Sequence, residues 1–337
     1  MKLSVLDQSV ALAGRPADDS IRETLAMAEW CESLGYHRFW VSEHHNHDSI
    51  VGSAPEILMA AIAARTQRIR IGSAGIMLPH YAPLKVAEQF RVLNALAPGR
   101  IDLGVGRAPG SDGLTARALN PSAGGWGGDD FPANVRDLML WVTGQPLPAG
   151  HPFAAIRAMP AGDNDPTVWM LGSSTYGAQL AGVFGLPYCF AAFITDGEGV
   201  DEALAQYRQH FRPARPGDQP RATVCLWALA ADTEAEAWRL FQSRARWKIE
   251  RDTGALNPLF APEQAMEYPF TPREQARLAE LKAGALVGDG AGLAAKLRSL
   301  ATRWQIDELV ILTWSHDPAA RRRSYQLLAG EFGLTPS

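Results

Sequence analysis

The sequence predicts an α/β protein whose eight strands, each followed by a helix, close into a parallel (β/α)8 barrel. Three observations point there. Short runs rich in β-branched and aromatic residues alternate with helix-period apolar runs from Leu3 to Leu328, and strands joined by helical crossovers lie parallel with both faces covered. The run Phe39-Trp40-Val41-Ser42 leads directly into Glu43-His44-His45. An interior tolerates such side chains only where they face a cleft, as at the carboxyl ends of barrel strands. An open doubly wound sheet is the alternative, but Asp7 to Gly14 lacks the G-x-G-x-x-G fingerprint expected after its first strand.

Leu3–Leu6 reads as the first strand. Ser20-Ile21-Arg22-Glu23 matches a capping box, and Ile21, Leu25, Ala28 and Cys31 recur at helical spacing until Gly35. Phe39–Ser42 is the second strand. Ser53-Ala54-Pro55-Glu56 is a second capping box with proline in the first turn, and Ile57, Leu58, Ala61 and Ile62 are expected to face inward. Ile69–Gly75 forms the third strand, followed by a helix carrying Val86, Ala87, Phe90, Leu93 and Leu96. The fourth strand, Ile101–Val105, runs into Gly106-Arg107, and a glycine-rich segment at 122–128 precedes a helix near Phe131–Val142.

Residues 146–166, rich in proline and glycine, read as a surface excursion. Thr167–Leu171, Leu186–Ala192 and Arg221–Leu229 are the fifth to seventh strands, their helices reaching Phe184, spanning Asp201–Phe211, and following a Thr233-Glu234-Ala235-Glu236 cap. That last helix holds Trp238, Phe241 and Trp247. Residues 251–286 are too long for an ordinary connection and suggest a lid with a short helix after Pro272. Leu293, Leu297 and Leu300 mark another helix, Leu309–Leu312 the eighth strand, and Ala319–Leu328 the last helix. Residues 1–337 are expected to be one domain, with insertions near 111–166 and the lid at 251–286.

With 47% hydrophobic residues the chain can bury a large core. Its 32 Lys and Arg nearly balance 36 Asp and Glu, so no broad basic field exists to hold nucleic acid or anionic lipid. The first residues are charged too early for a secretory signal, and no apolar run approaches the roughly 20 residues needed to span a bilayer, so a cytoplasmic location is expected. Cys31, Cys189 and Cys225 are isolated and odd in number, which argues for buried thiols and against a disulfide framework or structural zinc.

The chemistry-bearing residues cluster at strand ends. Adjacent strand residues point to opposite faces, so only one of His44 and His45 can aim into the barrel; that imidazole could exchange a proton or form part of a satisfied polar rim. His45-Asn46-His47 has the spacing of two metal ligands, a weak signal without a further ligand, and would suit a barrel hydrolase. Ser73-Ala74-Gly75 ends its strand with minimal side chains, which would admit a flat ring or permit a tight bend. Gly104-Val105-Gly106-Arg107 repeats that arrangement and adds a fixed cation. Gly172-Ser173-Ser174 before a helix offers free N–H groups, hydroxyls and a positive dipole end, or an ordinary serine cap. Arg107 and that turn follow neighbouring strands and could hold one phosphate from two sides.

Taken together, Arg38–His45, Arg70–Pro79, Ala87-Glu88-Gln89-Phe90, Gly99–Arg107, and Leu171–Ser174 running on to Gly185-Leu186-Pro187 resemble the flavin-dependent, luciferase-like monooxygenases. The resemblance covers most of the chain. It implies a TIM-like (β/α)8 barrel with insertions, in which reduced FMN from a separate NAD(P)H-dependent flavin reductase and O2 serve to oxygenate a small organic substrate. His44 matches the family's strand-two histidine, acting beside the flavin as acid, base or hydrogen-bond partner, and Glu43 would lie near the ring. Ala74-Gly75 matches a non-proline cis peptide beneath the ring, Gly106 and Arg107 match ring and phosphate contacts, and Gly172, Ser173 and Ser174 the phosphate turn.

The chain departs from the luciferases in having Gly106 where they carry cysteine and Ser173 where they carry an acidic residue, so light emission is not implied. Trp126, Met77 and Tyr81 are candidate pocket residues. A homodimer through the second and third barrel helices is expected by analogy. Rival functions are an oxidoreductase using the deazaflavin F420 on the same fold and a non-catalytic flavin-binding protein.

Overall fold

Every apolar run assigned to a barrel strand forms one in the computed structural model, which describes residues 1–108, 110–121 and 130–336. In chain order the first half comprises β1 (Lys2–Asp7), α1 (Ala17–Ser33), β2 (Arg38–Val41), α2 (Pro55–Arg65), β3 (Arg70–Ser73), β4 (Ile76–Met77), α3 (Pro83–Leu96), β5 (Ile101–Gly106), α4 (Gly113–Leu119) and α5 (Phe131–Val142). There follow β6 (Thr167–Gly172), α6 (Thr175–Val183), β7 (Tyr188–Ala191), α7 (Ala192–Thr195), α8 (Val200–His210), β8 (Ala222–Trp227) and β9 (Leu229–Ala231). The last are α9 (Glu234–Asp252), α10 (Pro262–Met266), α11 (Pro272–Ala283), β10 (Val287–Asp289), α12 (Gly290–Trp304), β11 (Glu308–Leu312) and α13 (Pro318–Phe332). The glycine-rich segment at 122–128, with Trp126, lies outside the described residues.

All barrel pairings are parallel. The order β3-β2-β1-β11-β8-β7-β6-β5 is closed by β3 against β5, with Ile71 opposite Ile101, giving a closed eight-stranded barrel surrounded by helices. The third strand is not continuous. It breaks at the cis peptide Ala74-Gly75 and resumes as β4, which pairs with the end of β5 through Ile76 and Val105. The seventh run also divides: β8 stays in the ring, and β9 leaves it to pair with β10 in a separate two-stranded sheet.

Two helix starts differ from expectation. Ser20 lies inside α1, where its buried hydroxyl donates to Val10 O at 2.8 Å; the helix begins earlier because Pro16 already fixes a turn-compatible φ. α2 starts at Pro55 after Ala54, with no side-chain cap from Ser53. Thr233 does cap α9, accepting from Glu236 N at 3.2 Å. Ile57 and Leu96 do not face inward: they are 66% and 64% exposed on α2 and α3. On α2, Met59, two positions after Ile57, fills the core.

The amino end of the barrel is closed by ions rather than by apolar layers alone. Arg38 reaches Asp102 and Glu308, each at 2.7 Å; Arg70 bonds Asp102 at 2.6 Å; Trp40 Nε1 donates to Asp102 at 3.1 Å; Ser4 Oγ donates to Glu308 at 2.6 Å. Burial alone would raise the Asp102 carboxyl, but Arg38 and Arg70 hold it below its ordinary range. Removing one charged member would leave buried charges uncompensated, so the network ties five strands (β1, β2, β3, β5 and β11) in one register. The excursion at 146–166 is clamped from α3: Arg91 Nε donates to Pro160 O at 2.5 Å and Asn94 to Asn164 O at 2.6 Å. Among the described residues the three cysteines are free and buried, and no helix is long and apolar enough to cross a membrane.

Candidate active site

At the carboxyl end of the strands a cavity of about 430 Å3 opens, within the range of small-molecule sites. His44, Ala74, Gly75, Gly106, Arg107, Gly172, Ser173 and Ser174 all line it, although they come from four strand ends. Glu43 does not.

The floor is made where β3 and β5 approach most closely. Ser73 Oγ donates to Gly104 O at 2.9 Å and accepts from Gly104 N at 3.1 Å. A Cβ on Gly104 would stand 2.2 Å from Ser73 O, and one on Gly75 would stand 2.7 Å from Gly104 O, so no larger residue fits either place. Gly106 is different. Its added Cβ would meet only Met77 Sδ at 3.6 Å, an ordinary contact, so the protein's own packing does not require glycine there.

Alternation along the chain separates the neighbouring side chains beyond β2. Glu43 and His45 share one side, with His45 Nε2 at 2.8 Å from Glu43 Oε1. Glu43 is completely buried behind the cavity wall, where Oε1 also accepts from Tyr81 OH at 2.6 Å and Oε2 from Met77 N at 2.9 Å. Its three partners fix the segment carrying Met77, which lines the cavity; Tyr81 does not line it. His44 faces the other way, into the cavity, with Nδ1 at 3.3 Å from Ser42 Oγ. Desolvation first, then the neighbouring His47 and His45, bring its pKa down to about 4, so the ring is neutral at pH 7. His47 also lines the cavity, and its Nδ1 accepts from Ser49 N at 3.2 Å and Ile50 N at 3.1 Å. His45 and His47 are thus engaged with different partners. Among the described residues no group of three or more His, Cys, Asp or Glu could hold a metal ion.

At the other side Arg107 stacks over the Tyr176 ring, 4.3 Å from its centroid. Among the described residues no carboxylate pairs with it. Ser174 is the N-cap residue of α6, yet its side chain makes no cap hydrogen bond, so the hydroxyl and the first-turn N–H groups remain available. β5 and β6 are neighbours, Val105 opposite Met170, which brings Arg107 beside that turn.

The sequence left one wall unassigned. α9 contributes Arg244, Trp247 and Arg251 to the cavity, and β7 and β8 contribute Cys189 and Cys225. Arg244 is only 7% exposed and stacks 4.4 Å over Trp227. Burial, partly opposed by Asp196, brings its guanidinium down to about 9. The signal was present: Phe241, Arg244, Lys248 and Arg251 share one helical stripe, so the apolar face of α9 carries three cations. Within 251–286 the cavity is lined by Arg251 alone. Leu259 bridges to Leu12, and α10 and α11 pack beside α9.

The sequence profile of the luciferase-like monooxygenase family matches residues 1–307. An N-acetyl-S-alkylcysteine monooxygenase from Bacillus subtilis (strain 168) is 38% identical over 335 residues, covering 98% of this chain and 97% of that one. The crystal structure of apo-MsnO8 aligns with a TM-score of 0.90 at 34% identity, covering 100% of this chain and 99% of the other. The oxygenating constituent of 3,6-diketocamphane monooxygenase from Pseudomonas putida, solved in complex with FMN, has a TM-score of 0.75 at 21% identity, with 100% and 98% of the two chains covered.

Proposed function

Because the chain belongs to the luciferase-like monooxygenase family, we propose that it is the oxygenating component of a two-component system. It takes reduced FMN from a separate NAD(P)H-dependent reductase and uses O2 to oxygenate a small organic substrate. The observation that carries this reading is the convergence of a small-residue floor, a neutral imidazole and a cation without a carboxylate partner among the described residues, beside a helix start, on one cavity.

The residues fit FMN on three counts. Gly106 is smaller than its protein neighbours demand, which leaves room for a ring edge. The hydroxyl of Ser174 is not spent on capping, and Arg107 supplies a fixed charge next to the dipole of α6, together an anion site for the phosphate. The remaining space is mostly apolar, as a ring system and an organic substrate require.

When bound, reduced FMN supplies the electrons that activate O2. The protein's part is to position and protect. Ala74 and Gly75 would lie against the ring, and Arg107, Ser173 and Ser174 would hold the phosphate. His44, neutral at pH 7 with Nδ1 beside Ser42 Oγ, can exchange a proton within the cavity: in the tautomer in which Ser42 Oγ donates to Nδ1, Nε2 carries the ring proton. Glu43 acts behind the wall by holding Met77 and His45. Trp40, Trp247 and Trp314 exclude water from the reacting volume. Exposed Ile57, Val92 and Leu96 on the adjoining α2 and α3 support a homodimer through these helices.

The test begins with anaerobic titration of photoreduced FMN, followed by tryptophan fluorescence, for the wild type and Arg107→Met. Arg107→Met should lose about tenfold or more in affinity for FMN and little for riboflavin, which lacks the phosphate. Air is then admitted with candidate substrates and 18O2. N-acetyl-S-alkylcysteines come first because a relative 38% identical is named for them. One labelled oxygen atom in the product supports the monooxygenase. Turnover with F420 and none with FMN would replace it by a hydride-transfer enzyme, and reduced-flavin binding without any product would favour a flavin-binding protein.

A further inference from the structure

We propose that the α9 wall of the cavity is a second anion site, in which Arg244, assisted by Arg251, receives the carboxylate of the organic substrate. That the anion is the substrate rests on the monooxygenase reading; the site itself rests on the side chains of α9 and their partners.

Arg244 is 7% exposed and lines the cavity, yet among the described residues it has no ion pair and no hydrogen bond. A guanidinium presents five N–H donors, and those of Arg244 have no protein acceptor among the described residues and open onto the cavity. The carboxylate best placed to answer it, Asp196, is already taken by Lys248 at 2.7 Å and Arg277 at 3.0 Å. Asp252 is held by Arg277 at 3.0 Å and lies 3.7 Å from Arg251; Glu280 also sits on Arg277, at 3.2 Å. Four cations (Arg244, Lys248, Arg251, Arg277) therefore meet three carboxylates (Asp196, Asp252, Glu280), leaving one positive charge over. An anion entering from the cavity would complete the set.

The geometry favours a carboxylate. Stacking on Trp227 holds the guanidinium plane, so its donors project along that plane as a fork, and a fork matches the two oxygens of a carboxylate. The site is separate from the phosphate end. Arg107 and the Ser173 turn follow β5 and β6, whereas Arg244 lies over the last residue of β8, so one cavity carries cations at two stations of the ring. Phe193 and Ile194, which follow β7, come between the two stations in ring order, and Leu312 and the Trp247–Trp314 pair, whose centroids are 4.5 Å apart, line the same cavity. That lining suits an acid with an apolar body.

The test uses hexanoate and hexanamide, equal in length and different in charge, titrated into the full chain by tryptophan fluorescence, with FMN and riboflavin in parallel. Wild type should prefer hexanoate by about tenfold or more, the strength of a charge-assisted bidentate contact. Arg244→Met should abolish that preference while keeping hexanamide affinity and the preference for FMN over riboflavin; Arg244→Lys should keep part of it. Equal binding of the two probes by wild type, or binding of neither, overturns the proposal without need of a variant. So does a preference that survives Arg244→Met. Loss of the FMN preference in Arg244→Met, with retention in Arg107→Met, also overturns it, because Arg244 would then be the phosphate site. If wild type prefers hexanoate in an Arg244-dependent way but does not distinguish FMN from riboflavin, the carboxylate site stands and the FMN reading falls.

Discussion

Replacing Glu43 by alanine should weaken the protein far more than it weakens any ligand contact. The carboxylate is fully buried and accepts from Met77 N at 2.9 Å and Tyr81 OH at 2.6 Å, with His45 Nε2 at 2.8 Å. A hydrogen bond to a charged group contributes about 1.5–3 kcal/mol, and three that share one carboxylate are not additive. Removing the carboxylate leaves the buried Met77 N–H and the half-buried Tyr81 and His45 side chains without it, so the expected loss is about 3 kcal/mol, the lower end of the range for breaking a buried charged pair. Glu43→Gln is the informative partner. Its carbonyl can keep the Met77 bond while its amide faces Tyr81 and His45, both able to accept, so about 1–2 kcal/mol should be lost.

Urea unfolding of wild type and both variants reads these values from midpoints at constant slope. Affinity for reduced FMN, measured in parallel, should change less than threefold for Glu43→Gln, because Glu43 does not line the cavity. Glu43→Ala within about 1 kcal/mol of wild type would refute the account of the wall. A stable Glu43→Gln that has lost flavin binding a hundredfold would refute the placement of Glu43 behind it.

Three other outcomes follow from the geometry. Gly104→Ala puts a Cβ 2.2 Å from Ser73 O, so it should cost more than about 3 kcal/mol by urea unfolding or prevent soluble expression, while Gly113→Ala, with open space around it, serves as control. His44 binds its proton near pH 6.5 in the unfolded chain and near pH 4 when folded, so between those values the unfolded state holds more protons and stability falls as pH falls. His44→Gln should therefore lose less stability than wild type between pH 7.5 and pH 5; equal losses would show that His44 is not desolvated. His37, also lowered to about 4, leaves an acid limb in both proteins. Ile57→Asp combined with Leu96→Asp should yield a monomer by light scattering if α2 and α3 form a dimer face, and an unchanged mass for both proteins would exclude that face.

The barrel was legible because parallel strands buried on both faces read as short apolar runs, and each such run from Leu3 to Leu312 became a strand. What periodicity did not mark was the break inside the third run: Ile69–Gly75 looks continuous, and only the family resemblance pointed to a special peptide at Ala74-Gly75. The turn after β6 was legible for a related reason. A turn that offers backbone N–H groups at a strand end is written in small residues, and Gly172-Ser173-Ser174 follow an apolar strand.

The alternation rule was applied to the two histidines and not to Glu43. Alternation separated His44 from His45, and the same alternation puts Glu43 with His45 on the far side, where the structure has it. Arg244 was missed because helical periodicity was read from its aromatic residues alone. On α9 the stripe through Phe241 continues into Arg244, Lys248 and Arg251, and long cations on the inward face of a barrel helix have to end at something polar. Asp196 answers Lys248, and Asp252 answers Arg251 weakly; for Arg244 the open space of the cavity is what remains. A cation on a buried stripe with no carboxylate of its own therefore points toward a ligand, and that inference needs only the helix register and the list of acids able to reach it.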